Sequence, residues 1–186
     1  MEGVHCMFIL GHLAAGYLAA KGAIALASPA LSPADTHLLS VLGGVVGALP
    51  DIDLIPYFLR NHSVELRPDA SHRDYLSHAP MLWCFLGLSV AFVAAAPLWS
   101  MFGVILWLSS WSHFLADTIG GRVAWLWPFT RSRFGFALAP EHAFLKKEDE
   151  GARAYYTRLF LTAYVTRPVF WIELLLVASA VAAWIQ

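Results

Sequence analysis

Residues 49–53 read Leu49-Pro50-Asp51-Ile52-Asp53 and close a run of small and apolar residues from Leu38 to Ala48. A proline followed by two carboxylates breaks a helix at the point where it leaves an apolar environment. Working outward, His72 and His78 precede or open the next apolar run. His113 and Asp117 close the run after that, and His12 stands near the start of the first. Acids and imidazoles are costly in or beside lipid, so those that persist there are paired, liganded or functional. The pattern predicts that these dispersed residues meet in one metal site at one face of a membrane.

Composition supports the membrane part. Of 186 residues, 59% are hydrophobic and only 13% charged, whereas a soluble domain carries roughly 25% charged residues. One membrane domain spanning residues 1–186 is expected. A net charge of −1 leaves no basic stripe to neutralise phosphates, which argues against nucleic acid as a partner. Cys6 and Cys84 cannot build a disulfide framework and read as reduced thiols. The amino terminus lacks a basic region, and the first apolar run contains His12 and Lys21, so it reads as a retained helix rather than a cleaved signal.

Along the chain the expected architecture is all-α, an integral membrane bundle of about five helices. The first is expected over 8–27, rich in Ala and Gly for close helix packing, followed by a turn over 28–36. The second, 37–49, is broken at Pro50 and completes its crossing over 54–59. Irregular backbone at that depth requires cover by protein or a wet cavity. A polar loop follows, then helices over 77–96 and 100–119, joined by a short break at Pro97. After Gly120-Gly121, Trp125, Trp127, Phe129, Phe134 and Phe136 alternate with Arg131 and Arg133, a composition of the headgroup zone. A solvated charged run, 146–150, leads into an interfacial amphipathic segment around Tyr155, Leu159 and Tyr164. The last helix runs from Pro168, with Glu173 expected to pair with Arg167.

Lys and Arg concentrate in the connections after the second and fourth helices, which predicts a cytoplasmic amino terminus. That orientation, drawn from basic residues alone, brings His12, Asp51, Asp53, His72, His78, His113 and Asp117 to the same cytoplasmic side. His113 and Asp117 lie four apart and share a helix face, so they can bind one metal or hydrogen-bond to each other. Asp51 and Asp53 repel at this spacing unless a cation or proton lies between them; a helix cap would explain one of them but not both. His72 could instead be a solvated loop residue, His78 a helix-start hydrogen bonder and His12 a satisfied core histidine. Imidazoles with carboxylates favour zinc, with manganese or iron as alternatives. The candidate ligands exceed the needs of one tetrahedral zinc, so one or two ions fit. In such a site Asp53 would be a general base and Arg73 an anion clamp.

At these residues the chain resembles a known family. The motifs are Gly11-His12-Leu13, Gly43-Gly44 through Asp53, His72-Arg73-Asp74-Tyr75-Leu76-Ser77-His78, His113-Phe114-Leu115-Ala116-Asp117, and Gly120-Gly121 followed by Trp127-Pro128-Phe129. They are similar in order and content to the inner-membrane metal-dependent hydrolases (YdjM-like, LexA-binding inner membrane-associated hydrolase) over roughly the first three quarters of the chain. That family often shows a His-Arg start closed by Thr-His-Ser; here Ser77-His78-Ala79 closes the segment and the His72 to His78 spacing is a residue longer, which weights His78 above His72 as a ligand. The resemblance implies an inner-membrane location and metal ions. Through a likeness to zinc-dependent phospholipase C-type proteins, it also implies a phosphoester substrate.

The expectation is therefore a membrane-bound metal-dependent hydrolase acting on an ester or phosphoester, lipid-like substrate at the cytoplasmic face, with membrane lipid as its surroundings. Two rivals are an ion-coupled transporter, which also places acids beside a broken helix, and a non-catalytic adaptor stapled by a structural metal.

Overall fold

The computed structural model describes residues 8–27, 30–61, 75–136, 147 and 149–185. Helices α1 (Ile9–Ala27) and α2 (Pro33–Ala48) are followed by a 3-10 turn (Leu49–Asp53) and α3 (Leu54–Asn61). A second 3-10 turn (Leu76–His78) leads into α4 (Pro80–Val93) and α5 (Pro97–Gly120). After an aromatic segment come α6 (Ala152–Arg158), a π-helical stretch (Leu159–Tyr164) and α7 (Pro168–Ile185). The described chain is an all-α membrane bundle. Ile9–Ala27, Pro33–Arg60, Pro97–Gly120 and Pro168–Ile185 are each long and apolar enough to cross a bilayer.

Several boundaries differ from the sequence expectation; α5, for one, begins at Pro97 rather than 100. α2 begins at Pro33 rather than 37 because Ser32 caps it: its Oγ accepts from Asp35 N at 3.1 Å and donates to the Asp35 carboxylate. The break at Pro50 is milder than an irregular turn. Leu49 keeps right-handed helical dihedrals, so the path tightens from α to 3-10 and continues into α3 without reversing. The expected helix over 77–96 divides into the 3-10 turn and α4, because Ala79 adopts extended backbone ahead of Pro80. With 14 residues, α4 reaches roughly 21 Å, short of a ~30 Å hydrocarbon core.

α1 packs against α2, α5 and α7, and α5 also packs against α2 and α4. Small residues set the spacing. A Cβ on Gly47 would stand 2.5 Å from His12 O and 2.8 Å from Gly16 Cα, so α1 and α2 touch backbone to backbone. Ser109 of α5 donates to Gly16 O at 3.0 Å and closes the three-helix contact.

α1 and α7 run parallel and are clasped at both ends. Glu173 accepts from Phe8 N and Gly11 N, each at 3.1 Å, and from the Tyr164 hydroxyl in a short contact. The buried carboxylate thus caps the positive end of α1 instead of pairing with Arg167. At the other end Lys21 Nζ donates to Ala183 O at 2.7 Å, a cation at the negative end of α7. The charged run is anchored where Arg158 grips Glu150 at 2.7 and 2.8 Å. In the interfacial segment Tyr155 is buried rather than exposed.

Gly47→Ala is expected to destabilise the bundle by about 1–3 kcal/mol, the usual cost of overpacking a tight contact, and to lower the thermal midpoint in detergent. Gly22→Ala, where an added Cβ meets nothing within 4 Å, should leave the midpoint unchanged or raise it.

Candidate metal centre

The close approach of α1 and α2 brings His12, four residues into α1, against the end of α2. Asp51 follows on the 3-10 turn, His78 arrives on the second 3-10 turn, and His113 and Asp117 come from the last two turns of α5. All five are buried, with His12, His113 and Asp117 fully so.

Four atoms converge. His78 Nε2 and His113 Nε2 lie 3.4 Å apart. Asp51 Oδ1 is 3.7 Å from each of them, and Asp117 Oδ2 is 3.6 Å from each. Ligands bound at ~2.0–2.1 Å around a tetrahedral ion stand about 3.4 Å from one another. The five imidazole–imidazole and imidazole–carboxylate distances are therefore close to the spacing that a zinc-sized ion would impose. His12 Nε2 approaches the remaining carboxylate oxygens, Asp51 Oδ2 at 3.9 Å and Asp117 Oδ1 at 3.8 Å. Two sets, His12/His113/Asp117 and Asp51/His78/His113, each have geometry that could hold an ion.

The far nitrogens of two imidazoles are fixed. His113 Nδ1 is 2.9 Å from Gly47 O. A carbonyl only accepts, so Nδ1 carries the hydrogen and the Nε2 lone pair faces the cluster. His78 Nδ1 is 2.5 Å from Asp53 Oδ2, which also accepts from Ser77 Oγ at 2.8 Å. The structure thus sets Asp53 behind His78 rather than beside the other carboxylates. The reason is the 3-10 turn, which separates Asp51 and Asp53 enough for each to meet a different nitrogen of one ring.

Charge calls for a cation here. Asp117 sits in the last turn of α5, where the helix dipole disfavours an anion, and burial makes an uncompensated carboxylate costlier still. Burial lowers the His78 pKa, but hydrogen bonds and charge from Asp117 and Asp53 outweigh it and raise the pKa to about 9.

Beside Asp53 an open cavity of about 430 Å³ is lined by Ile52, Ile55, Pro56, Tyr75 and Leu76, with Asp53 and Ser77 as its polar wall. On the α5 side the aromatic segment is tied down. Trp125 Nε1 donates to Thr118 Oγ1 at 2.9 Å, and Phe136 N donates to Thr118 O at 2.8 Å. Phe114 bridges inward, edge-on to Trp125, His113 and His78. His72 and Arg73 lie outside the described residues. Sequence reasoning missed the role of Gly47, whose carbonyl fixes a ligand. It also missed Ser77, for which the Ser-His pair was the available signal.

The sequence model of the YdjM inner membrane protein family matches residues 7–185. No curated protein and no solved structure matches the chain. The match covers nearly its whole length, so the chain belongs to the YdjM inner membrane protein family.

Asp53→Asn keeps the four converging atoms but removes the carboxylate behind His78. It is expected to weaken zinc affinity by about 10–100-fold, measured by competition with a chelator. Asp117→Asn should be more damaging, because it removes the charge inside the cluster.

Proposed function

We propose that the protein is a membrane-bound metal-dependent hydrolase that cleaves an ester or phosphoester in a lipid-like substrate at the cytoplasmic face of the inner membrane. The observation that carries this proposal is the buried set of two imidazoles 3.4 Å apart, each with a carboxylate oxygen of Asp51 and of Asp117 at 3.6 to 3.7 Å. Zinc suits this donor set best, with manganese or iron as alternatives. A bound divalent ion supplies Lewis-acid polarisation of an ester or phosphoester oxygen.

The chain's own residues do the rest. Asp53 and Gly47 O hold His78 and His113 with their Nε2 atoms toward the reacting region. The Oδ1 of Asp53 has no hydrogen-bond partner among the described residues, and Asp53 lines the apolar cavity. These two facts support a general-base role for it toward a substrate whose chain occupies that cavity. Arg73 is proposed as the clamp for the anionic group. The cytoplasmic assignment rests on the positive-inside rule, with Arg60, Arg122, Arg131 and Arg133 near the cluster end of the bundle.

Transport is less well supported. Among the described residues, the buried carboxylates and imidazoles are the cluster, Asp53 and Glu173. Glu173 contacts Gly11, the neighbour of His12, so no ionisable path extends toward the other end. The structural-metal alternative has one specific support, since four protein ligands can close a shell and leave no position for substrate.

Detergent-purified protein is expected to retain zinc, and Asp51→Ala/Asp53→Ala to lose it, by mass-spectrometric metal analysis. Chelation should abolish hydrolysis of phosphoester or lipid-ester substrates, and His113→Ala should lower kcat/KM by more than about 10²-fold. A wild type that stays metal-free after reloading would sink the proposal. Full metal content without turnover on either substrate class would favour the structural metal.

A further inference from the structure

Asp51 and Asp117 each present both oxygens to imidazoles, and the contacts sort by oxygen. Asp51 Oδ1 and Asp117 Oδ2 meet His78 and His113. Asp51 Oδ2 and Asp117 Oδ1 meet His12 instead. We propose that the two carboxylates bridge two divalent ions: the first held within the four-atom tetrahedron, the second by His12 Nε2, Asp51 Oδ2 and Asp117 Oδ1. This inference rests on the metal reading above and adds a second position with a different coordination.

Three observations converge on it. His12 is not needed to complete the first shell, yet it is fully buried and directed at the opposite oxygens of the same two carboxylates. The His12 and His113 rings stack with centroids 3.8 Å apart and planes 23° from parallel. Near-parallel imidazoles that each ligate through Nε2 would hold their ions at about that separation, and two-metal hydrolytic sites place theirs ~3.5–4 Å apart. Charge is the third. One divalent ion only neutralises Asp51 and Asp117, and Asp53 behind His78 leaves that arrangement negative. A second ion turns the balance positive, which suits an anionic phosphoester.

The two positions differ in what they leave open. The first has four protein donors, a closed shell. The second has three, the arrangement in which a hydrolytic zinc keeps a position for water or substrate. His12 therefore separates a two-ion centre with an open position from a closed, single-ion one.

The test is metal stoichiometry with a magnetic readout on the full-length protein in detergent, reloaded with Mn²⁺. Wild type is expected to bind about two ions per chain and to give the spectrum of an exchange-coupled pair by electron paramagnetic resonance. His12→Ala should bind about one and give the spectrum of an isolated ion. Saturation of wild type at one uncoupled ion overturns the second position while leaving the single-metal reading intact. A coupled pair that survives in His12→Ala overturns the assignment of His12. A wild type that binds no metal overturns both proposals together. If His12→Ala does not fold, the wild-type stoichiometry and coupling still decide.

Discussion

The backbone contact between α1 and α2 has no room for a side chain on either helix, and the candidate metal centre hangs from it. At Gly47 the α2 backbone lies so close to His12 O and Gly16 that a single methyl would collide. The same residue offers its own carbonyl to His113 Nδ1. One glycine therefore sets the separation of two helices and the orientation of an imidazole on a third. Ser109, bonded to Gly16 O, fixes α5 at the height where His113 and Asp117 face His12 and Asp51. Packing in lipid gains little from apolar burial alone, because the tails are as apolar as leucine. Close van der Waals contact and a few interhelical hydrogen bonds have to supply the specificity. Here they supply the register of the site as well.

Ionisable groups are arranged to limit their cost in this setting. Glu173 sits on the amino-terminal N–H groups of α1, and Lys21 on a carboxyl-terminal carbonyl of α7. Each helix dipole is matched by a charge of the right sign. Asp117 is the exception, an anion at the carboxyl-terminal end of α5. Its cost falls only where donors or cations gather around it, and the Nε2 atoms of three imidazoles lie within 3.8 Å. A protein that needed only packing could place alanine there. The unfavourable placement and the convergent nitrogens both suit residues that could hold a metal ion.

The apolar cavity is lined by Asp53, the residue that also holds His78 of the cluster. The aromatic segment after α5 covers the opposite flank, through Trp125 on Thr118 and Phe114 against both ligand rings.

Much of this was legible in the sequence. Apolar runs of spanning length gave the helices, Pro50 and Pro97 their divisions, and the acids and imidazoles at the run ends the candidate site. α2 starts four residues earlier than its apolar run implies, because Ser32-Pro33 forms a cap whose local sequence also suits a turn. The partner of Glu173 was missed because α1 and α7 are more than 160 residues apart in the chain. By itself the sequence determined which residues could not remain in lipid without partners, since that depends only on side-chain chemistry and the hydropathy around it. Only the tertiary structure decided which partner each one has: which oxygen of Asp51 faces His12 and which faces His78, and that Asp53 stands behind the ring. Those choices turn on helix separation and rotation at the scale of a single Cβ, and contacts between distant segments leave no local pattern in the chain.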